Sequence, residues 1–518
     1  MTRAVISRAD QAFTDRKRFE TVWQDAYDFA MPGREGFFGR IDPASKMQRV
    51  FDETAIVALQ EFGAMLAQGL VSNLGDWFRL EPGSDVQAGD RQKVQAQLDE
   101  VTAYLHEILQ EGTFYQEVHE LCLELAMGTG AMFIDFVQGG LIFKSCALPQ
   151  VAMSVGPFGL IDKIYRRRNM TASDVVVLYP KTASPQVRDA AKDASRSGVG
   201  GEAAPQVMLI EASERNYSKP GVEAWDYYVI EHATGKQLVK TFSEGPGSGA
   251  WMTPRWTTAS DEIYGRGPLL NALPAIKVLN LTVQLILENA ELAIEGIWQS
   301  DDDGVVNVDT IRLLAGTIIP RAPGSRGLEP LESPTDFGVS QLVLEDMRTN
   351  VRKALFNLEF APLGKTPLSA TEAAIREGKL AELIGPAYGR IQQELILPLI
   401  RRVVFLFRRE GLLEMPSVNG TLIKVVARTP MMRGFKAQHI TRLTNFVSTV
   451  AQLAGEQVWN EISMKRFTGI LHTLYEADPE LLVTPEETMQ KQQQEAMMAM
   501  AQSGALSGMT EAPPAMLP

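Results

Sequence analysis

The sequence of 518 residues contains only two cysteines, Cys122 and Cys146, and five histidines. Two cysteines provide neither a disulfide framework nor the repeated Cys or His spacing of a zinc site. The H-E-x-x-H pattern of zinc hydrolases is also missing. We therefore expect an intracellular, reducing origin, no metal, no cofactor and no catalytic residue.

Phosphate-binding and membrane-spanning patterns are missing as well. The sequence has no G-x-x-x-x-G-K-[ST] phosphate-binding loop. Its most apolar stretch, residues 278–298, carries polar groups such as Asn280, Gln284 and Glu288, which disfavours a membrane span. The first residues are too polar for a secretory signal. We expect no contact with a membrane.

Basic residues are fewer than acidic ones, with 50 Lys and Arg against 63 Asp and Glu, so the net charge is −13. A protein that binds nucleic acid over its whole surface needs an excess of Lys and Arg to neutralise the phosphate backbone. This balance fits an ordinary acidic protein, or one past which nucleic acid must slide without sticking. Composition alone does not choose between these two interpretations.

The pattern of apolar residues predicts an α+β fold that is mainly helical. Residues 1–266 alternate helical and strand patterns, and residues 131–148 have the alternation of a hairpin. A long helix that is apolar on nearly all sides follows, which suggests packing between neighbours, including neighbouring subunits. An insert at 299–336 rich in Asp, Gly and Pro, a second helix, a loop and a long helix starting at Ser369 come next.

Four short motifs contain residue types that could bind a ligand or a partner. The turn "GRGP" at 265–268 opens the long apolar helix and resembles a phosphate cradle, but Pro268 removes an N–H donor, so a structural hinge is favoured. The acidic run "DDDG" lacks the spacing of a calcium loop and indicates a solvated acidic loop. "YRRRN" at 165–169 indicates a solvated sheet edge or a subunit contact, and "RRVVFLFRR" at 401–409 a core stripe with charged flanks.

Five segments in this order resemble the portal, or head-to-tail connector, proteins of short-tailed bacteriophages. The resemblance covers about residues 18–487, and no single motif carries it alone. The segments are "FDETAIVALQEFGAMLAQGLVSNL…WFRLEP", "ELAMGTGAMFID", "YGRGPLLNALPAIKVLN", "SATEAAIREGKLAELIGPAYGRIQQELILPLIRRVVFLFRREGLL" and "PEETMQ".

The resemblance implies the portal fold with wing, stem, clip and crown regions. Its boundaries on this sequence are a wing at 1–266, stem helices at 267–298 and 337–357, a clip at 299–336, a tunnel loop at 358–371, a kinked helix and strand returning to the wing at 372–430, a crown at 431–484, and a C-terminal tail at 485–518, helical and then disordered.

The resemblance also implies a function and partners. A ring of twelve copies would occupy one capsid vertex of the virion, after synthesis in the bacterial host cytoplasm. It would conduct double-stranded DNA during packaging and ejection, and would bind terminase, tail or adaptor proteins, and the major capsid and scaffolding proteins. Such a protein is structural and not an enzyme.

Three groups of residues are the candidate sites under this hypothesis. They are the tunnel-loop residues Leu363, Gly364, Lys365 and Thr366, the clip or partner-docking residues Asp301, Asp302 and Asp303, and the wing-to-stem hinge residues Gly265, Gly267 and Pro268.

Two alternatives stay open from the residues alone. One is a nucleotide-dependent DNA-processing enzyme with its phosphate site at "GRGP". The other is a structural adaptor of a different assembly, with the acidic insert as a docking site.

Overall fold

The computed structural model describes most of the chain. The described residues are 2–38, 43–72, 76–83, 86–87, 89–137, 139–198, 203–259, 262–295, 298–300, 323, 328–330, 337–357, 384–413, 424–454 and 463–475. The chain divides into two compact units, Met1–Leu368 with Glu382–Pro430, and Ser369–Ala381 with Met431–Pro518.

Helices predominate in both units. Those of the first unit are α1 Thr2–Ala30, α2 Pro43–Met47, α3 Thr54–Leu70, α4 Arg91–Glu111, α5 Phe114–Leu125, α6 Ala172–Leu178, α7 Pro185–Ser197, α8 Pro268–Glu295, α9 Phe337–Ala354 and α10 Leu397–Arg409. A π-helical turn, Gln392–Ile396, leads directly into α10. In the second unit the described helices are α11, which begins at the boundary and runs Pro430–Ala454, and α12 Met464–Tyr475.

Twelve strands are seen among the described residues, all in antiparallel pairs. They are β1 Phe78–Glu81, β2 Met132–Val137, β3 Gly140–Ser145, β4 Val151–Val155, β5 Ile161–Thr171, β6 Gln206–Arg215, β7 Ala224–Glu231, β8 Gln237–Glu244, β9 Trp251–Met252, β10 Trp298–Ser300, β11 Leu328–Pro330 and β12 Lys424–Ala427. Their sheets have the orders β4-β5-β6-β7-β8, β3-β2-β9, β1-β12 and β10-β11. The predicted α+β class and the hairpin at 131–148 are confirmed.

The five-stranded sheet is covered on both faces because neighbouring side chains of a strand point in opposite directions. On one face, Ile210 of β6 packs with Val5 and Phe13 of α1. On the other face, the adjacent Leu209 packs with Val175 of α6 and Val187 of α7. The polar sequence around residues 180–205 therefore contains a helix that closes one side of the core.

Of the three arginines of "YRRRN", Arg166 does not lie at a sheet edge, so that prediction was wrong for it, whereas Arg167 and Arg168 extend past the end of β4 and pair with β6 alone. All three belong to β5, which pairs with β4 on one side and β6 on the other. Arg166 forms a buried ion pair with Glu211 at 3.4 Å, and Arg167 pairs with Asp10 of α1 at 2.6 Å. The helix α1 supplies the carboxylate that the sequence pattern does not reveal.

A cluster of rings holds α4 against β1. His106 of α4 is buried, its ring lies 4.2 Å from that of Phe78, and its Nε2 donates to the Phe78 carbonyl at 3.2 Å. Burial lowers the pKa of His106 from 6.5, because the charged imidazolium is poorly solvated there, whereas the Phe78 carbonyl and Asp76 favour the charged form.

This shift predicts a specific loss of stability at mildly acidic pH. Because the folded pKa lies below the unfolded value, the contribution of His106 is complete above about pH 6.5 and is lost as pH falls below it. The His106→Gln variant keeps an N–H donor but does not titrate. We expect its melting temperature to fall less than that of the wild type between pH 7.5 and 5.5, measured by scanning fluorimetry; equal losses would contradict the assignment.

Candidate functional site

Two glycine turns meet where α8 begins, and we call this contact the glycine junction (residues 126–130 and 264–268). A Cβ at Gly265 would overlap the carbonyl oxygen of Gly128, and one at Gly267 would overlap that of Ala126. Gly128 also has φ of 124°, a conformation open mainly to glycine. The two backbones therefore touch as closely as they do only because neither carries a side chain.

Hydrogen bonds across the glycine junction use the donors at the start of α8. The N–H of Gly267 donates to Met127 O at 3.2 Å, and that of Leu269 donates to Ala126 O at 2.9 Å. Pro268 between them has no N–H to offer. The positive end of the α8 dipole thus faces the carbonyls that follow α5 and not an anion. The turn resembles a phosphate cradle in sequence, but its donors are used within the chain.

A buried ion pair supports the glycine junction from the side. Arg255, 4 % exposed, donates through its backbone N–H to Glu394 at 2.9 Å and through Nη2 at 2.6 Å. Glu394 lies in the π-helical turn, in which the Leu397 N–H donates to Gln392 O, five residues back. Pro398 supplies no N–H, which favours such an irregular turn.

A second set of polar contacts fixes α8 and α9 to the loop before α3. Asn280 of α8 is buried, accepts from Phe51 N at 2.7 Å and donates to Arg49 O at 3.1 Å. Arg348 of α9 pairs with Asp52 at 2.9 Å. Burial acts to raise the pKa of Asp52, but hydrogen bonds from Thr54 and Arg348 lower it below its usual value. The "FDET" sequence is thus the attachment point of both helices.

Around and beyond Asn280, several apolar side chains of α8 are left partly uncovered by the described part of the chain. Val278, Leu281 and Leu285 share one face and are about half exposed, at 51, 54 and 48 %. Leu287, on the opposite side, is 52 % exposed. Among the described residues of 281–290 none is buried. The exposed row of α8 (Val278, Leu281, Leu285) is therefore left about half uncovered by the described part of the chain.

By length and hydropathy, Pro268–Glu291 also meets the criterion for a membrane span, the one such helix in the described part of the chain. Buried helices of soluble proteins meet it too. The first half of α8 packs inside the first unit, where Leu269, Ala272 and Ile276 are buried. Lys277 pairs with Asp25 of α1. These contacts belong to a helix anchored in a protein core.

Arg402 of "RRVVFLFRR" is a buried structural residue that the sequence does not distinguish from its neighbours. It is 3 % exposed and donates to Ile134 O at 3.1 Å and Ser248 O at 2.9 Å. Burial lowers its pKa to about 10, which the nearby Asp135 opposes. Arg402 therefore joins α10 to β2 and to the loop after β8, and is not a charged flank.

The structure contains one of the three predicted groups. Gly265, Gly267 and Pro268 come together with Gly128 and Arg255 in the glycine junction. Asp301–Asp303 and the loop residues Leu363, Gly364, Lys365 and Thr366 lie outside the described residues. Within the described residues, no group of three His, Cys, Asp or Glu could hold a metal ion. The sequence did not predict the roles of Arg255, Glu394, Asp52 and Arg348. Asp52 belongs to "FDET", which begins the first of the five segments, but its pairing with Arg348 was not expected.

Comparison with known proteins gives the family. The model of the bacteriophage head to tail connecting protein family matches residues 2–482. The chain belongs to this family. The resemblance deduced from the five motifs is therefore confirmed.

Two curated relatives cover almost the whole chain. It is similar to the "Probable portal protein" of Bordetella phage BPP-1, with 23 % identity over 529 residues, 97 % of this chain and 93 % of that protein. It is also similar to the "Portal protein" of Salmonella phage epsilon15, with 22 % identity over 535 residues, 98 % of this chain and 93 % of that protein.

Solved structures of gene transfer agent particles are more distant matches. One is the neck of the native particle computed with C12 symmetry, with 12 % identity, a TM-score of 0.34, and coverage of 78 % of this chain and 90 % of that chain. Another is the neck of the empty particle computed with C6 symmetry, with 14 % identity, a TM-score of 0.34, and coverage of 80 % and 91 %.

The glycine junction makes a direct prediction. Gly267→Ala should lower the free energy of unfolding by at least about 2 kcal/mol, since the added Cβ meets backbone atoms that cannot rotate away. The matched control is Gly389→Ala in the helical residues 384–391, where a Cβ meets nothing within 4 Å. We expect that control to be stabilised by about 0.5 to 1 kcal/mol. Chemical denaturation of both variants measures the difference, and equal effects would contradict the role of the contact.

Proposed function

We propose that the protein is the portal of a bacteriophage head, a ring at one capsid vertex that conducts double-stranded DNA during packaging and ejection. The observation that carries this proposal is the family match over residues 2–482, together with two relatives that are named portal proteins. In this role it acts as a structural protein of the virion, made in the host cytoplasm, while terminase, tail or adaptor, capsid and scaffolding proteins bind around it.

The exposed row of α8 supports assembly into a ring. A closed ring of identical chains needs head-to-tail contacts, in which two different surfaces of each chain meet. Leu285 is already about half buried, so covering the rest of it on a neighbouring copy contributes about 0.8 to 1.5 kcal/mol. A helix anchored in the core at one end and apolar at its other end is suited to such a contact.

The division into regions follows from the same proposal. We assign α8 and α9 to the stem, with Gly265, Gly267 and Pro268 at the passage from wing to stem. The attachment of both helices to "FDET" through Asn280 and Arg348 is consistent with a stem that moves as one piece. Asp301, Asp302 and Asp303 remain proposed partner-docking residues of the clip.

Assembly is the first test. We expect the purified protein to form rings of twelve copies at micromolar concentration, seen by negative-stain electron microscopy and light scattering. Leu285→Gln should weaken or abolish the rings, because it places an amide in the apolar contact. The control is Val177→Gln on α6, whose side chain is 77 % exposed away from α8. Monomeric wild-type protein, or intact rings in Leu285→Gln, would contradict the proposal.

DNA conduction is tested separately. Deletion of residues 360–367, which include Lys365, should leave ring assembly intact and reduce DNA packaging or retention in an assembly reaction. Deletion of residues 505–512 in the tail is the matched control for a lost segment of the same length. Full packaging by the first deletion would remove the assignment of the tunnel loop without affecting that of the ring.

A further inference from the structure

Three consecutive residues, Arg255, Trp256 and Thr257, contact five other parts of the chain, four of which are distant in sequence. We call them the 255–257 segment. Arg255 binds Glu394 of the π-helical turn through its backbone N–H and its guanidinium. Thr257 pairs with Arg266 at the start of α8, where the Arg266 N–H donates to Thr257 O at 2.7 Å.

Trp256 lies between these two residues and makes the remaining contacts. Its backbone N–H donates to Gly128 O at 2.8 Å, so it takes part in the glycine junction. Its ring is buried, with its centroid 5.8 Å from that of Phe356 and 5.5 Å from that of Phe62. Because its side chain and backbone engage different elements, Trp256 cannot move without disturbing both.

Phe356 closes the end of α9 in an unusual backbone conformation. Its φ is 60°, and it is the one residue other than glycine with positive φ in the described part of the chain. The Phe356 N–H donates to Lys353 O at 3.1 Å and the Asn357 N–H to Arg352 O at 2.9 Å, the bonds of a Schellman cap, a position that usually holds glycine. Packing against Trp256 and Phe62 compensates for the strain of this conformation.

The π-helical turn is the second irregular element held by the 255–257 segment. Its wider hydrogen bonding places Glu394 where its two carboxylate oxygens accept from Arg255. A return to regular α-helical bonding would rotate Glu394 about the helix axis and break that pair. The turn and the cap at Phe356 are thus both departures from regular helical geometry that depend on contacts with the 255–257 segment.

We propose that the 255–257 segment couples the cap of α9 to the π-helical turn, so that release of one loosens the other. Arg255 and Trp256 are adjacent in the chain and are both buried, so displacement of one side chain shifts the backbone of the other. The two coupled elements precede and follow residues 358–383 in the chain. The segment therefore acts as a positioning element for the end of α9 and for the π-helical turn, and this inference does not depend on the proposed function.

Hydrogen exchange of the full-length protein, followed by mass spectrometry, tests the coupling. Glu394→Gln removes the charge of the pair while keeping the size of the side chain. We expect amide exchange to rise on the order of tenfold at residues 352–357 as well as at 392–397. Coupling free energies are reciprocal, so Phe356→Leu should also raise exchange at 392–397. The control is Asp99→Asn, which removes a pair of the same length with Arg79, 2.6 Å, at a more exposed place in the unit.

The two possible results separate coupling from a local role. If Glu394→Gln raises exchange only at 392–397 and Phe356→Leu only at 352–357, the two contacts are independent and the proposal is overturned. If either substitution raises exchange throughout the unit, Arg255→Lys and Trp256→Phe replace them. These milder variants keep a cation and an aromatic ring, and the same criterion applies to the same two peptides.

Discussion

The close contact of two glycine turns is the constraint on which the rest of this unit depends. Gly128 and Gly265 approach so closely that a Cβ on either would overlap the carbonyl group of the other. The contact fixes the first residue of α8 against the end of α5. Hydrogen bonds from Gly267 and Leu269 also fix the direction in which α8 leaves this contact. The orientation of the later residues of α8 is therefore set by this contact.

Buried polar groups at several points of this unit define its geometry more than they add stability. Arg255, Asn280 and Arg402 each donate to carbonyls or a carboxylate of other elements. Burying such groups is costly unless every donor finds an acceptor, so the favourable arrangements are few. Removing one partner leaves the other uncompensated in the core. Apolar packing would hold the same helices together but would permit them to slide or rotate.

The sequence predicts the elements better than the contacts between them. The periodicity of apolar residues gives the α+β class, the hairpin at 131–148 and a helix after Pro268, because period depends only on local geometry. A turn at Gly265 and Gly267 is also predicted, but as a hinge, and their close approach to Gly128 is not visible in the sequence. Arg402 cannot be distinguished from Arg401 without knowing which face of α10 is covered. Arg167 extends past β4 as the edge prediction requires, but its partner Asp10 belongs to α1, 157 residues earlier, and no local pattern reveals that pair.

The two halves of α8 differ in how far their apolar side chains are buried, and this difference bears on the proposed assembly. In the first half, Leu269, Ala272 and Ile276 are buried in the chain's own core. In the second half, Leu281 and Leu285 are half exposed although their side chains are equally apolar. Apolar side chains left in water lower solubility and gain nothing, unless another surface covers them. Asn280 anchors α8 just before Leu281 and Leu285, and in the proposed ring a neighbouring copy would cover these side chains at an angle that the glycine junction sets.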